Sequence, residues 1–200
     1  MSKLYMFASR LYRHGLNRFS FLRKKRFEHT YKKRKGFGSL EYHKQIAQDI
    51  VKNIPHKQYR SALDLGCGYG FITAKLAVTI PSVTAIDISA TALNVAMQNN
   101  KKVRFLHHDV INYCRGKYDL ILCVGILPYI PENYVSQVAK NIDKMLVDNG
   151  SLVIFEKVGY TGTRIEKYLK ELPYTTLRRR IRIAGMPFLL IVAKKSAGHK

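Results

Sequence analysis

Leu63-Asp64-Leu65-Gly66-Cys67-Gly68-Tyr69-Gly70 is the stretch whose reading decides how this chain folds. The aliphatic run Ser61–Leu65 reads as a short buried strand and Phe71–Val78 as a helix, so the glycines fall in the turn between them. Glycine lets the backbone turn tightly and come close to a ligand, and the helix that follows opens with free N–H groups. The spacing is G-x-G-x-G, distinct from the G-x-G-x-x-G that cradles a dinucleotide pyrophosphate. A turn of this kind can also be purely structural, so its meaning depends on what surrounds it.

The surroundings repeat the same rhythm. Short β-branched or aliphatic runs at Val83–Ile86, Val103–Leu106, Tyr118–Val124 and Ser151–Lys157 read as further strands. Between them lie helices at Ala90–Asn99, Asn133–Leu146 and Thr163–Glu171, with Ser89 as the cap of the first and Asp148-Asn149-Gly150 turning the chain after the second. Upstream, Leu40–Asn53 places Ile46, Ala47, Ile50 and Val51 on one helix face, and Pro55 ends it. Strand and helix in alternation predict a parallel sheet covered on both faces, with ligands at the carboxyl ends of the strands. The last two apolar runs, Leu177–Ala184 and Phe188–Lys194, are joined only by Gly185-Met186-Pro187, too short for a crossover helix, and must pair antiparallel. The fold class is therefore α/β, a doubly wound, seven-stranded, mostly parallel sheet with an antiparallel last strand.

Two acids sharpen the reading of the glycine turn. Asp87 ends the second strand, where a carboxylate can accept hydrogen bonds from both hydroxyls of a ribose, and Asp109 ends the third, where it can accept from the exocyclic amine of an adenine. Three successive strand ends thus describe a nucleoside site. With these residues and the terminal hairpin, the chain resembles the class I S-adenosylmethionine-dependent methyltransferases from about Leu40 to Lys195, a Rossmann-like fold. The resemblance implies S-adenosylmethionine as cofactor, its methionine part held by Asp64 and the backbone of Gly66, Gly68 and Gly70. It further implies Asp87 on the ribose, and Ile88 and Val110 against the adenine beside Asp109. Ile88 and Val110 could equally be core residues. Cys67 and Cys123 lie beside the same site and read as small apolar fillers; neither has a base to make it a nucleophile.

The acceptor side should be lined by the end of the fourth strand, Gly125-Ile126-Leu127-Pro128-Tyr129-Ile130, and by the helix before the first strand. No Asn/Asp-Pro-Pro-Tyr/Phe stands there, which argues against DNA base-amine methylation, and no Pro-Cys, which argues against the covalent cytosine mechanism. The segment resembles that of small-molecule methyltransferases. With Phe37-Gly38-Ser39-Leu40-Glu41-Tyr42-His43-Lys44 it is loosely similar to sugar-amine N-methyltransferases of the nodulation-factor type. Tyr42, His43 and Tyr129 are the acceptor-side candidates, with His43 and Tyr129 proposed as catalytic. His107, His108 and Glu156 are further titratable groups at strand ends. The function expected is methyl transfer to an N or O of a small-molecule, saccharide or lipid-linked acceptor. The alternatives are an RNA methyltransferase or a noncatalytic binding or assembly protein on the same scaffold.

Charge separates the ends from the middle. The 200 residues carry a formal net charge of +22, and residues 1–35 with 178–200 hold 18 of it. The chain divides into a basic N-terminal extension, 1–38, and a methyltransferase domain, 39–200. In the extension, Phe7, Leu11, Leu16, Phe19, Phe21 and Leu22 interleave with Arg10, Arg13, Arg18 and Arg23. An interfacial helix on anionic lipid uses such apolar residues for burial, and an RNA-contacting tail does not need them, so an anionic membrane surface is favoured over nucleic acid. A transit peptide, a solvated extension and a lid over the acceptor site are the other readings. Three cysteines without a CxxC pair support neither a disulfide framework nor a metal site. No apolar run reaches the roughly 20 residues of a membrane helix, so a cytoplasmic protein is expected, peripheral at a membrane if the arm anchors it.

Overall fold

The computed structural model describes residues 20–33, 40–158, 163–172 and 174–198. In chain order the elements are α1 (Ser20–Lys32), α2 (Leu40–Lys52), β1 (Ser61–Leu65), α3 (Phe71–Thr79), β2 (Ser82–Asp87), α4 (Ala90–Asn99), β3 (Arg104–His107) and β4 (Tyr118–Val124). A 3₁₀ turn (Leu127–Tyr129), α5 (Glu132–Met145), β5 (Leu146–Lys157), α6 (Thr163–Leu169), β6 (Tyr174–Ile183) and β7 (Met186–Lys195) complete the chain. The strands form one sheet in the order β3-β2-β1-β4-β5-β7-β6. The first five are parallel, and β7 runs antiparallel to both its neighbours. The strand order reverses at β1, between β2 and β4, and such a reversal opens a crevice at the carboxyl ends of the strands.

The central strands are buried on both sides, which is why they read as continuous apolar runs. Leu63, Leu65, Ile86, Ile121 and Ile154 face one core with Val138 and Ile142 of α5. Ala62, Ala85, Leu120, Leu122 and Val153 face the other with Ile50 of α2 and Leu76 of α3. Ser89 caps α4 as expected, its side chain accepting from the N–H of Ala92 at 3.2 Å.

Three local details differ from the sequence expectation. Asp148-Asn149-Gly150 does not separate helix from strand: α5 runs directly into β5, and Asn149, at φ 60°, sits where the register against β4 shifts between Tyr118 and Leu120. The hairpin turns earlier than Gly185-Met186-Pro187. Ala184 (φ 46°) and Gly185 (φ 76°) form a two-residue turn, because two left-handed residues match the twist of the paired strands. Finally, α1 is a helix that apolar periodicity did not announce; Phe7, Leu11, Leu16 and Phe19 of the interfacial reading lie outside the described residues. Among the described residues no helix is long and apolar enough to cross a membrane.

Candidate active site

A cavity of about 440 Å³ opens at the crevice and is lined from β1, β2, β4 and β5, from the loop after β3, and from α1 and α2. Its floor is the glycine turn. Gly66, Gly68 and Gly70 have φ of 75°, 54° and 75°. A Cβ on Gly68 would lie 2.8 Å from the Tyr31 hydroxyl, and one on Gly66 would run into Ile126. The N–H groups of Gly66 and Cys67 both donate to the Ile86 carbonyl at 2.9 Å, which fastens the turn to the end of β2.

Asp87 binds the two loops together. One carboxylate oxygen accepts from Gly68 N–H and the other from Ser89 N–H, each at 2.8 Å. Burial nevertheless raises its pKa, because those two bonds do not replace the water lost. Asp64 is 1% exposed and accepts from the Thr73 hydroxyl at 2.5 Å. Burial pushes it up to about 6 against that bond, with the nearby Asp87 adding to the rise. Glu156, at the end of β5, accepts from Leu127 N–H at 3.0 Å, and burial pushes it up to about 8. Among the described residues no cation pairs with any of these three carboxyls. The site is built to receive positive charge.

Helix α1 forms the roof. Arg23, Phe27 and Tyr31 stand four residues apart on one face and all line the cavity. Arg23 pairs with Asp109, whose other oxygen accepts from Ile111 N–H at 3.1 Å. Phe27 meets Tyr129 edge-on at 5.3 Å, the Arg26 guanidinium lies 5.6 Å from the centre of the Tyr129 ring, and Tyr31 meets Tyr69 at 4.9 Å. Glu28, on the flank of the same helix, caps α4 from outside: it accepts from Ala90 N–H at 2.6 Å and from the Thr91 hydroxyl at 2.5 Å. On the opposite wall, Tyr42 of α2 donates to the Met186 sulfur at 3.6 Å, and His43 stacks on Phe71 at 6.1 Å.

Residues 62–150 match the family model described as methyltransferase domain. Over that segment the chain is similar to methyltransferase domains. Ubiquinone biosynthesis O-methyltransferase of Rickettsia akari is 32% identical over 104 residues, which is 50% of this chain and 41% of that protein. The chain thus spans less than half the length of that relative. The N-methyltransferase NodS of Bradyrhizobium japonicum WM9, solved with S-adenosyl-L-homocysteine, superposes with a TM-score of 0.66 at 20% identity, covering 77% of this chain and 87% of NodS. Magnesium protoporphyrin IX methyltransferase of Synechocystis PCC 6803, solved with S-adenosylmethionine, gives 0.63 at 18% identity, with 98% and 99% covered.

The fold brings most of the sequence candidates together. Asp64, Gly66, Cys67, Gly68, Asp87, Ile88, Asp109, Val110, His43 and Tyr129 all line the one cavity, as do Tyr42 and Glu156. Gly70 and Cys123 do not. Gly70 begins α3 and packs where a Cβ would lie 2.9 Å from Ala96, and Cys123 is fully buried in the core. Burial raises both the Cys67 and Cys123 thiols, so neither is a ready nucleophile. His107 and His108 point their ring nitrogens at the carbonyls of Ile88 and Asp109, each at 3.0 Å. Sequence reasoning named Arg23 only as a cation of the extension and missed Phe27 and Tyr31; their four-residue spacing was the available signal, hidden among the surrounding lysines and arginines.

Proposed function

We propose that this protein transfers a methyl group from S-adenosylmethionine to a nitrogen or oxygen of a small-molecule, saccharide or lipid-linked acceptor. The observation that carries the reading is the single cavity that holds Asp64, Asp87 and Asp109 from successive strand ends and continues to Tyr42, His43, Tyr129 and Glu156. The residues fit the cofactor. A glycine floor with left-handed backbone leaves room where side chains would stand, and buried carboxyls without cations suit a ligand bearing an ammonium and a sulfonium.

In this reading Asp64 and the turn backbone hold the methionine part, Asp87 the ribose, and Asp109 with Ile88 and Val110 the adenine. When bound, S-adenosylmethionine supplies a methyl group already activated by its sulfonium charge. The protein's task is alignment. Asp87 fixes the glycine turn to the second loop, the α1 roof excludes water, and Tyr42, His43 and Tyr129 place the acceptor. Titration calorimetry with S-adenosylmethionine and S-adenosylhomocysteine tests the site. Asp87→Ala should weaken both by roughly tenfold to several-hundredfold, and unchanged binding overturns the assignment. Incubating labelled cofactor with fractionated cell extract then shows whether label enters small metabolites, RNA or nothing.

The same proposal places the protein in the cytoplasm, with its basic extension at an anionic membrane surface. Arg23, one of the cations of that extension, is committed to Asp109 and contributes to the site instead. Sedimentation with anionic vesicles, compared with RNA as competitor, separates lipid from nucleic acid; no binding to vesicles at low salt overturns the membrane role.

A further inference from the structure

Glu156 stands two strands away from the glycine turn, at the end of β5, and is 1% exposed. Its carboxyl is anchored to the loop after β4 by Leu127 N–H and opens on the cavity. Aromatic groups line the same cavity from the other face of the sheet. Phe188 of β7 is the register partner of Lys157, next to the Glu156–Leu189 pair, and also lines the cavity. Tyr42, through its bond to Met186, is held over the start of β7, and His43 lies beside it at 5.8 Å between ring centres. A buried carboxyl that lines the cavity, with no cation paired to it among the described residues, offers an organic ammonium a counter-charge, and the rings that line the same cavity offer its carbon chain an apolar wall. A neutral or anionic acceptor would leave that carboxyl unpaired. Burial holds the empty carboxyl up at about 8, and an ammonium beside it favours the charged form, so the carboxylate that the ammonium meets is basic enough to take its proton.

We propose that Glu156 accepts a proton from the acceptor and that the acceptor is an alkylammonium compound, an inference that rests on the methyltransferase reading above. The ammonium R–NH₃⁺ gives one proton to the Glu156 carboxylate, leaving a neutral amine and a neutral carboxyl. The nitrogen lone pair forms the N–C bond to the methyl group of S-adenosylmethionine while the C–S bond breaks and its electron pair stays on sulfur. The product leaves as R–NH₂⁺–CH₃ beside the neutral thioether S-adenosylhomocysteine, and Glu156 returns its proton to water. Tyr42, His43 and Phe188, on the other wall of the same cavity, receive the carbon chain.

Calorimetry on the full chain with benzylammonium, benzyl alcohol and benzoate, with and without saturating S-adenosylhomocysteine, tests the proposal. Benzylammonium should bind at least about tenfold more tightly than the other two, and Glu156→Gln should remove that preference. Binding of S-adenosylhomocysteine to the Gln variant should stay within about threefold of the unmodified chain, which also reports that it folds. Glu156→Asp, which keeps the charge, should keep the preference with weaker binding and serves if the Gln variant does not fold. No measurable benzylammonium binding, equal binding of the alcohol or benzoate (which Lys157 at the rim would favour), or a preference that survives Glu156→Gln overturns it. Failure of the unmodified chain to bind S-adenosylhomocysteine overturns the methyltransferase reading instead, and the preference measured without it still decides the ammonium site.

Discussion

The guanidinium of Arg23, in the first helix, pairs with the carboxylate of Asp109 after β3, and both side chains are nearly withdrawn from solvent, at 5% and 11% exposure. This pair joins a segment rich in cations to the wall of the cavity. It also explains how a helix with almost no apolar face stays docked: Arg23, Phe27 and Tyr31 reach inward, and Glu28 grips the start of α4.

Removing one partner of that pair leaves the other charge largely buried. Arg23→Ala and Asp109→Asn should each destabilise the protein by roughly 1–3 kcal/mol, less than a fully buried pair would because the site adjoins an open cavity. A double-mutant cycle followed by chemical denaturation should show a coupling of at least about 1 kcal/mol. Additive effects would mean that the pair contributes nothing of its own.

Glu28 sits at the N-terminus of α4, where a negative charge meets free N–H groups. Burial pulls its pKa up, but the hydrogen bonds from Thr91 and from the N–H groups of Ala90 and Thr91 outweigh burial, so the net shift is downward. A carboxylate lowered in the folded state stabilises above its unfolded pKa, and that stabilisation is lost as pH falls through the folded value. Glu28→Gln should therefore cost about 0.5–1 kcal/mol at pH 7 and almost nothing at the acid end of the range. Unfolding curves at both pH values check this.

Glu156 and Asp64 act in the opposite sense. Their carboxyls are pushed up, to about 8 and about 6, because burial disfavours the charged form. The protonated form is favoured in the folded state, so the stability they contribute is present below the unfolded pKa and fades as pH rises through 6 and then 8. The unliganded protein should lose stability between about pH 4 and pH 8, and Glu156→Gln should flatten the upper part of that fall by roughly 2–4 kcal/mol. A variant whose pH profile matches the unmodified chain would show that Glu156 does not carry the effect.

Gly68 is held in a left-handed conformation against Tyr31. Gly68→Ala should cost about 1 kcal/mol for the backbone alone, with a further penalty from the new Cβ meeting the Tyr31 hydroxyl. In a Tyr31→Phe background the nearest atom is gone, so the same substitution should cost less. Thermal unfolding of the four proteins measures the difference; equal penalties in both backgrounds would place the strain in the turn alone.

The sequence alone determined the sheet and its ligand edge. Ser61–Leu65 and Tyr118–Val124 form the strands expected to the residue, because strands buried on both faces are continuous apolar runs that end at turn residues. Asp64, Gly66, Gly68, Asp87 and Asp109 converge because parallel strands in register bring successive strand ends to one edge, so spacing along the chain becomes proximity in space. Only the tertiary structure decided what closes the cavity. α1 has too few apolar residues to announce a buried face, and Arg23 is recognisable as a site residue only once Asp109, 86 residues away, supplies its counter-charge. The same holds for Glu156. Its place in the sequence marks a strand end, but the burial that raises its pKa and the cavity it opens on belong to β4, β7 and α2 folded with β5. Desolvation is a property of the packed surroundings, and no residue's identity contains it.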